Sequence, residues 1–495
     1  MDKFVKVLCV LGASLLLTVS FGMVILILCP GVSIFGVRYV GFAQEEVKYK
    51  AEVVDLKQDV IVESNALGVD IVFNSSRTTA KLDISQAFIG FTTKKMGEEY
   101  YTIARENGAT KITFLDVPTI VFGTNRNGSA IKLELPSSLN SLSITSKSST
   151  LNLSGAGINA RTVNIDTNGV VNVNNAVNSS VFEVHNATLN VNGSLSGGTT
   201  LKVDTFRAVN VNKASSATLD IQAKGSTVSV MSCGNLKVKT TTGKVIMKPG
   251  SVVAGNCDIE TVSGDIKLNV LDGKLAINTK YGDVSADYVK RGDILSGAGD
   301  VKIRSVDNVA IESSSGDIEL MSVNNKATVT TTSGAVKLSS ADAKNTNEVK
   351  NVSVETRSGD VTAYNLAGEK AKIVTMNGRI NVNVCKADKL VLASEKAEIK
   401  ASGVSCVSSQ ISSNGKITVG YTDKFEQANI FGGDGAVSIS LAEHIKCNIV
   451  ATASNEKAKI SVDGYAVSGV SYSNDNSSAT GSLKVKTSRG NVEII

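Results

Sequence analysis

Apolar and polar residues alternate in short runs along most of this chain, and the runs meet at polar corners that contain glycine. One unit is Asp258-Ile-Glu-Thr-Val-Ser-Gly264-Asp-Ile-Lys-Leu268, and a similar unit is Val309-Ala-Ile-Glu-Ser-Ser-Ser-Gly316-Asp-Ile-Glu-Leu320. Alternation puts Ile266 and Leu268 on one face of a β-strand and Lys267 on the other. Each unit therefore predicts two short strands joined by a Ser/Thr-Gly corner.

The corner glycines recur at intervals of about 17 to 21 residues, which is typical of a repeat array. They include Gly243, Gly264, Gly282, Gly299, Gly316 and Gly334. A lone hairpin of this length is unstable, whereas stacked coils hydrogen-bond to both neighbours and bury a continuous aliphatic column. Glycine at the corner is expected to accommodate backbone angles that a side chain resists. The prediction is an all-β, single-stranded β-helix (β-solenoid) of about 18 short coils, a rod on the order of 85 Å long.

Two other β architectures fit the pattern less well. A sandwich is expected to have longer strands with irregular spacing, and a propeller needs about 40 residues per blade. The chain contains only 4 Pro among 495 residues. Scarce proline favours a solenoid, because each interior strand must donate its N–H groups to a neighbouring coil.

The N-terminal segment has a different pattern. No charged residue occurs from Val7 to Cys29, and Lys3 and Lys6 precede this run. As a helix the run would extend roughly 35 Å, enough to cross a bilayer, and the basic residues predict a cytoplasmic N-terminus. A cleavable signal peptide is the alternative, although the run is long and ends well before the small residues at Gly41-Phe-Ala43. We expect an uncleaved single-pass anchor in the cell membrane and an extracellular C-terminal ectodomain.

These patterns divide the chain into five predicted segments. Residues 45–139 contain strand-like runs without a fixed corner period, so they predict a β-rich cap that covers the open first coil. The segments are a cytoplasmic stub (1–6), a transmembrane signal-anchor helix (7–29), a juxtamembrane linker (30–44), the N-terminal cap region (45–139) and the β-solenoid repeats (140–495).

Composition argues against several functions. The chain carries 51 basic and 46 acidic residues, a formal net charge of +5, and mixes them along its length, so no nucleic-acid partner is expected. His185 and His444 are the only histidines, which argues against His-rich metal sites and most Ser-His-Asp chemistry. The absence of Trp removes a residue that polysaccharide-cleaving β-helices use as a platform. We therefore expect no enzymatic activity and no cofactor.

Several motifs together resemble a known family. They are Ile131-Lys-Leu-Glu-Leu-Pro136, then Leu142-Ser-Ile-Thr, then the repeated Ser-Gly-Asp-Ile/Val corners at residues 263–266, 315–318 and 358–361. In this ensemble the chain resembles the bacterial DUF4097 "putative adhesin" proteins with β-strand repeats, over roughly residues 60 to 495. The resemblance implies a β-helical fold, often with a membrane anchor, and it implies no catalytic residues.

One candidate site is an acidic ladder that follows four consecutive corner glycines. Its members are Asp265, Asp283, Asp300 and Asp317. If the corners stack, neighbouring carboxylates lie about one strand spacing apart, and a divalent cation such as Ca²⁺ would relieve their repulsion. The alternative is that Asp suits a solvated turn and its side chain accepts hydrogen bonds from nearby N–H groups. Gly432-Gly-Asp-Gly435 resembles a glycine-rich Ca²⁺ repeat but occurs only once.

Two pairs of cysteines lie about one period apart, Cys233 with Cys257 and Cys385 with Cys406. Adjacent coils would bring such pairs near the range that a disulfide tolerates, and buried unpaired cysteine is the equally common alternative. The spacing leaves both open.

The sequence therefore predicts a non-enzymatic, membrane-anchored, extracellular scaffold that acts like an adhesin. Its partners would be a cell-envelope glycan, a surface protein or identical copies of the chain, and repetition along the polar faces would strengthen individually weak contacts. Two alternatives remain open: an accessory protein that senses envelope stress or assists signalling, and a polysaccharide-acting β-helix enzyme. The short stub weighs against signalling, which would require a partner helix in the membrane.

Overall fold

The computed structural model describes residues 2–28, 33–34, 37–64, 68–92, 101–115, 119–121, 130–147, 150–339 and 348–495. Contacts divide the chain into two compact units, Met1–Ala217 and Thr218–Ile495. The elements of the first unit are helix α1 (Asp2–Leu28) and strands β1 (Ser33–Ile34), β2 (Val37–Val53), β3 (Asp59–Ser64), β4 (Val69–Asn74), β5 (Ala80–Thr92), β6 (Tyr101–Glu106), β7 (Ala109–Phe114), β8 (Thr119–Val121), β9 (Ala130–Pro136), β10 (Ser138–Ser146), β11 (Thr150–Gly155), β12 (Ile158–Thr167), β13 (Val170–Val173), β14 (Val177–His185), β15 (Thr188–Ser194), β16 (Thr200–Thr205) and β17 (Val209–Ala223), which continues into the second unit.

The second unit consists of strands, most of them short. They are β18 (Val228–Val230), β19 (Cys233–Thr240), β20 (Val245–Met247), β21 (Val252–Val253), β22 (Cys257–Thr261), β23 (Ile266–Thr279), β24 (Val284–Ser296), β25 (Val301–Ser313), β26 (Ile318–Leu320), β27 (Val323–Thr331), β28 (Val336–Leu338), β29 (Val349–Lys350), β30 (Val352–Thr356), β31 (Val361–Thr375), β32 (Ile380–Ser394), β33 (Ile399–Val404), β34 (Ser408–Ser413), β35 (Ile417–Tyr421), β36 (Gln427–Gly432), β37 (Val437–Leu441), β38 (Cys447–Ala453), β39 (Ile460–Val462), β40 (Tyr465–Ala466), β41 (Ser471–Ser473), β42 (Gly481–Thr487) and β43 (Val492–Ile494).

The N-terminal helix is confirmed. Residues Lys3–Val24 within α1 have a mean hydropathy of 2.3 and are long enough to cross a membrane. None of this segment is buried against the rest of the protein. Cys29, the predicted end of the anchor, lies outside the described residues.

Strands of the first unit stack in parallel and in register. Strand β10 pairs with β3 on one side and with β12 on the other, and β11 pairs in the same way with β4 and β13. Strand β3 also pairs in parallel with β7, so the coil formed by β3 and β4 lies inside the stack. Strands β3 and β4, which lie in the predicted cap region, are therefore part of the solenoid.

Antiparallel strands cover the outer edge of this first coil stack. Strand β6 pairs antiparallel with β7, and β5 pairs antiparallel with β9 and with β2. An edge strand with open N–H and C=O groups is a template for aggregation, and a reversed strand direction blocks further parallel stacking. Among the described residues, strands β2, β5 and β6 therefore pair antiparallel at the edge that these parallel coils present, and the cap as a separate region stays a prediction.

In the second unit, the long strand β24 pairs in parallel with β25 in three runs, residues 284–286, 288–289 and 291–296. We call the column of strand segments stacked with residues 292–296 sheet A, the column stacked with 284–286 sheet B, and the column stacked with 288–289 sheet C. In each sheet alternate side chains point inward, as for the buried Val284, Val289 and Ile294. The predicted alternation is confirmed, with an offset of 17 residues between paired Val284 and Val301.

The corner glycines are required for a reason other than the one predicted from sequence. Gly264, Gly282, Gly299, Gly316 and Gly334 have no left-handed backbone conformation. Instead, a Cβ atom at Gly316 would lie 2.0 Å from the carbonyl oxygen of Gly299 in the previous coil. The same clash recurs at each of these corners. The expectation of unusual backbone angles was wrong, and close stacking of corner on corner explains the glycine.

Buried hydroxyl groups hold the corners in place. Thr279, Thr356 and Thr375 are 1 to 6% exposed, and each Oγ1 atom accepts a hydrogen bond from the N–H of the corner glycine three residues later. The distance is 2.9 Å from Gly378 N to Thr375 Oγ1. This bond satisfies a buried N–H that the sheets do not use, so each corner needs Ser or Thr as well as glycine.

The last strands do not follow the order of the sequence. Strand β42 pairs in parallel with β36 on one side and with β38 on the other, and β43 lies likewise between β37 and β39. The coil that ends the chain is therefore inserted between two coils that precede it. Antiparallel strands β40 and β41 then pair with β39 and β38.

The predicted all-β solenoid after one apolar helix is confirmed. The described parts of the two units together amount to about 15 turns, against the about 18 coils predicted. The predicted boundary at residue 140 falls inside β10, which pairs with β3 of the predicted cap region.

Candidate functional site

The predicted acidic ladder lies on the outer surface of the second unit, at the start of sheet B. Val284 pairs with Val301, and Val301 pairs with Ile318, so the residues that precede them are stacked in register. Asp283, Asp300 and Asp317 are exposed. The structure thus brings the predicted carboxylates into one column, at the spacing of neighbouring strands.

Each carboxylate in this column accepts a hydrogen bond from the next coil. The N–H of Asp300 donates to Asp283 Oδ1 at 2.9 Å, and the N–H of Asp317 donates to Asp300 Oδ1 at 2.8 Å. Ala335 continues the column, since its N–H donates to Asp317 Oδ1 at 2.9 Å. One carboxylate oxygen per coil is thereby used to bind the neighbouring backbone, as the solvated-turn alternative predicts.

Basic side chains neutralise part of the column. Lys244 Nζ lies 2.9 Å from Asp265 Oδ2. The hydrogen bond from Lys244 lowers the pKa of Asp265, and the backbone N–H of Asp283 contributes in the same direction. Farther along, Arg379 binds both carboxylate oxygens of Asp360. Its backbone N–H donates to Oδ1, and its guanidinium donates to Oδ2. These contacts balance the charge within the protein itself.

A surface groove of about 470 Å³ runs beside the column. Its lining includes Asp265, Asp283 and Asp300 together with Lys267 and Lys302. Among the described residues, no group of three or more His, Cys, Asp or Glu is arranged to hold a metal ion. The ladder as a cation site stays a prediction, and its geometry is that of a hydrogen-bonded structural column.

The predicted cysteine pairs are reduced thiols in the core. Cys233, Cys257, Cys385 and Cys406 are buried and free. Burial raises the pKa of the Cys233 and Cys406 thiols to about 12, because the low-dielectric core disfavours the thiolate. Of the two alternatives left open by the spacing, the structure shows the buried unpaired form.

The remaining motifs have structural partners. Asp434 in Gly432-Gly-Asp-Gly435 is bound by the Arg489 guanidinium, with Nε at 2.7 Å from Oδ1, and this contact lowers the pKa of Asp434. His444 is exposed and lies 4.0 Å from Asp423. Neither arrangement is a metal site among the described residues.

Two features of the surface were missed from the sequence. In the first unit, Asn172 donates to Asn152, Asn190 to Asn172 and Asn210 to Asn190, at 2.8 to 2.9 Å, as a continuous amide ladder. In the second unit, a surface groove of about 400 Å³ has Lys224, Lys239 and Lys280 in its lining. The recurring Asn-x-Asn pattern could have indicated the amide ladder. The groove depends on the register between paired strands, which composition does not give.

The fold and the outer columns define a class: a β-solenoid with hydrogen-bonded polar ladders that follows one apolar helix. The chain belongs to the Toastrack DUF4097 family, whose model matches residues 70–320 and 325–495. The family resemblance predicted from the Ser-Gly-Asp corners is thereby confirmed.

The solved structures that match the chain include three bacterial proteins. One is a "putative cell adhesion protein" from Clostridium sporogenes, with 9% identity and a TM-score of 0.19, covering 52% of this chain and 100% of that one. A "putative adhesin" from Parabacteroides distasonis has 13% identity and a TM-score of 0.17, covering 80% of this chain and 98% of that one. Another from Parabacteroides merdae has 9% identity and a TM-score of 0.16, covering 80% and 96%. No curated protein matches the chain.

Proposed function

We propose that this protein is a non-enzymatic surface scaffold of adhesin type, held in the cell membrane by α1 with its solenoid outside the cell. The observation that carries the proposal is the helix itself. Its segment Lys3–Val24 is apolar and wholly unburied by the protein. Such a surface is unfavourable in water and favourable in a bilayer, and Lys3 and Lys6 favour a cytoplasmic N-terminus.

The scaffold role is supported by how the coils are joined. Each interior strand of the second unit hydrogen-bonds to a coil on both sides, as β24 does with β23 and β25. Outward side chains therefore repeat at the strand spacing of about 4.8 Å, in columns such as Asp283-Asp300-Asp317. Regular polar columns offer many equal, weak contacts to a long partner, and many contacts together give avidity.

Labelling of intact cells tests the location. Residue Ser314 is exposed at a corner, whereas Cys233, Cys257, Cys385, Cys406 and Cys447 are buried. With the Ser314→Cys variant, a membrane-impermeant maleimide is expected to label intact cells well above the level of the native chain. Labelling of Ser314→Cys only after cell lysis would contradict the proposed topology.

A helix variant tests the anchor. Lysine at the centre of a membrane-spanning helix costs about 2.5–3.5 kcal/mol, so Leu16→Lys is expected to reduce the membrane-bound fraction while Leu16→Val leaves it unchanged.

Incubation of the native chain in detergent with whole cells and a panel of envelope glycans tests the non-enzymatic role. Binding without change in glycan length is expected, and cleavage of any glycan would contradict the non-enzymatic role.

A further inference from the structure

The net positive charge of the chain is concentrated in a few coils. Residues 222–280 contain eight lysines, no arginine and four carboxylates. They therefore carry four of the five net positive charges, and the other coils together are almost neutral. This stretch forms consecutive coils of the second unit, from the end of β17 to the end of β23. Although basic and acidic residues are mixed along most of the chain, this stretch therefore has a local excess of positive charge.

The groove of about 400 Å³ lies within this stretch. Lys239 pairs with Glu260, and Glu260 with Asn278, as outward positions of adjacent strands in sheet A. Lys224 and Lys280 line the groove at the neighbouring corner position, two residues after Gln222 and Asn278. At about 4.8 Å per coil, the four coils from Lys224 to Lys280 extend roughly 14 Å.

The residues that line this groove include three lysines and one carboxylate, Glu260. Lys239 Nζ lies 2.8 Å from Glu260 Oε2, and that hydrogen bond raises the pKa of Lys239. The ammonium group of Lys280 lies 5.1 Å from the ring centre of Tyr281. The lining as a whole keeps a formal charge of +2. Gln222 and Asn278 add amide donors beside the ammonium groups.

We propose that this groove binds a linear anionic glycan of the cell envelope through its phosphate or carboxylate groups. The proposal deepens the proposed function by naming the ligand class, and it rests on that function for the solenoid being outside the cell. Ammonium groups spread over four coils match repeated charges along an extended polymer, and the amides match sugar hydroxyls. The lining residues include no aromatic side chain, and Tyr281 beside Lys280 is a single ring. Single-stranded nucleic acids stack successive bases on several rings, so an anionic glycan fits this groove better.

Binding of defined polymers to the full chain in nonionic detergent tests this proposal. The probes are inorganic polyphosphate, polygalacturonate, neutral dextran and double-stranded DNA. The double variant Lys224→Gln/Lys280→Gln is expected to weaken binding of an anionic probe by about tenfold or more, because two positive charges that attract the polymer are removed. Glu260→Gln is expected to strengthen binding, and added salt to weaken it.

The matched control removes two positive charges elsewhere. Lys386 and Lys400 are exposed in the same unit, outside the lysine-rich coils, and Lys386→Gln/Lys400→Gln is expected to change affinity less than twofold. Binding of polyphosphate alone would identify phosphate as the recognised group, and binding of polygalacturonate alone would identify carboxylate. Equal loss with the control pair, equal binding of dextran, tighter binding of DNA than of either anionic polymer, or no binding by either anionic polymer would each overturn the proposal. If these binding tests fail but Ser314→Cys is labelled on intact cells, the glycan proposal is wrong and the proposed surface location is retained.

Discussion

The backbone N–H of Asp300 donates a hydrogen bond of 2.9 Å to the carboxylate of Asp283, one coil earlier. Asp300 in turn accepts from Asp317, so each side chain binds the backbone of the coil that follows it. A residue type that looked like a ligand for a cation therefore has a structural use that needs no ion. Because Asp283, Asp300 and Asp317 are exposed, the column remains polar toward solvent.

Replacing Asp300 separates the two roles of this column. In Asp300→Ala the N–H of Asp317 loses its acceptor, and the free energy of unfolding is expected to fall by about 0.5–1.5 kcal/mol. Asp300→Asn keeps an oxygen acceptor and is expected to change stability by less than about 0.5 kcal/mol. Urea unfolding followed by circular dichroism measures both. Equal loss in the two variants would show that the charge, rather than the hydrogen bond, stabilises the column.

The corner glycines give a sharper prediction. Gly316→Ala places a Cβ atom 2.0 Å from Gly299 O, and the nearest atoms of the previous coil are all backbone atoms, which cannot move aside easily. We expect a loss of about 1–3 kcal/mol or more in the free energy of unfolding. Gly225 is the matched control, because a Cβ atom there meets only Thr242 Oγ1, at 3.6 Å. Gly225→Ala is expected to be nearly neutral, and similar losses in both variants would exclude close stacking as the cause.

The sequence predicted the coils because inward positions such as Val284, Val301 and Ile303 alternate with polar residues. Alternation identifies the face on which a side chain lies, but it does not identify which coil lies next to which. Strands β36, β38 and β42 have the same pattern, so the insertion of β42 between the other two could not be predicted. The order of those strands depends on turns whose geometry the pattern does not encode.

The candidate site was predictable only in part. The column of aspartates follows from the Gly-Asp corners, because equal spacing predicts stacking. Its hydrogen bonds were one of two alternatives, and choosing between them required the position of the Asp300 N–H. The lysine groove was missed because Lys224, Lys239 and Lys280 are 15 and 41 residues apart in sequence and share no motif. Only the strand register places them on one surface.

The buried hydroxyl beneath each corner is expected to contribute measurably to stability. In Thr375→Val the shape is kept, but the N–H of Gly378 loses the acceptor that lies 2.9 Å away. A buried, unsatisfied donor costs about 1–3 kcal/mol, and this is the expected loss in the free energy of unfolding. Thr375→Ser retains the oxygen and is expected to lose less, since Ser394 accepts from Ala397 in the same way. A stable Thr375→Val variant would contradict this role.

Because several thiols are buried, the free energy of unfolding is expected to fall at alkaline pH. In the folded protein the pKa of Cys233 and Cys406 is raised to about 12, from an ordinary value of 9.0. Above pH 9 the unfolded chain releases these protons while the folded chain retains them, so stability is present below pH 9 and is lost as pH rises toward 12. The slope is at most about 1.4 kcal/mol per pH unit per thiol.

Urea unfolding between pH 8 and pH 11 measures this slope. The variant Cys233→Ala/Cys406→Ala is expected to be less stable at pH 8, because it leaves two small cavities, but to lose less stability as the pH rises. The comparison therefore uses the slope and not the absolute stability. Parallel curves for the native chain and the variant would show that other groups cause the alkaline loss.

The inserted final coil predicts that the chain's last residues stabilise residues that precede them. Leu483 in β42 is fully buried and lies opposite Ala428 on one side and Ile449 on the other. Leu483→Ala is expected to lower the free energy of unfolding by about 2–5 kcal/mol, whereas Lys484→Ala, at the exposed neighbouring position, is expected to change it by less than about 0.5 kcal/mol.

Removing residues 481–495 tests the inserted order, because it would separate β38 from β36 by a gap one strand wide. Hydrogen exchange is expected to become fast in residues 447–462 and to remain slow in residues 361–375, because backbone groups of the detached coil lose their sheet partners. If 447–462 stayed protected after this deletion, β38 would pair directly with β36, and the inserted order would be wrong.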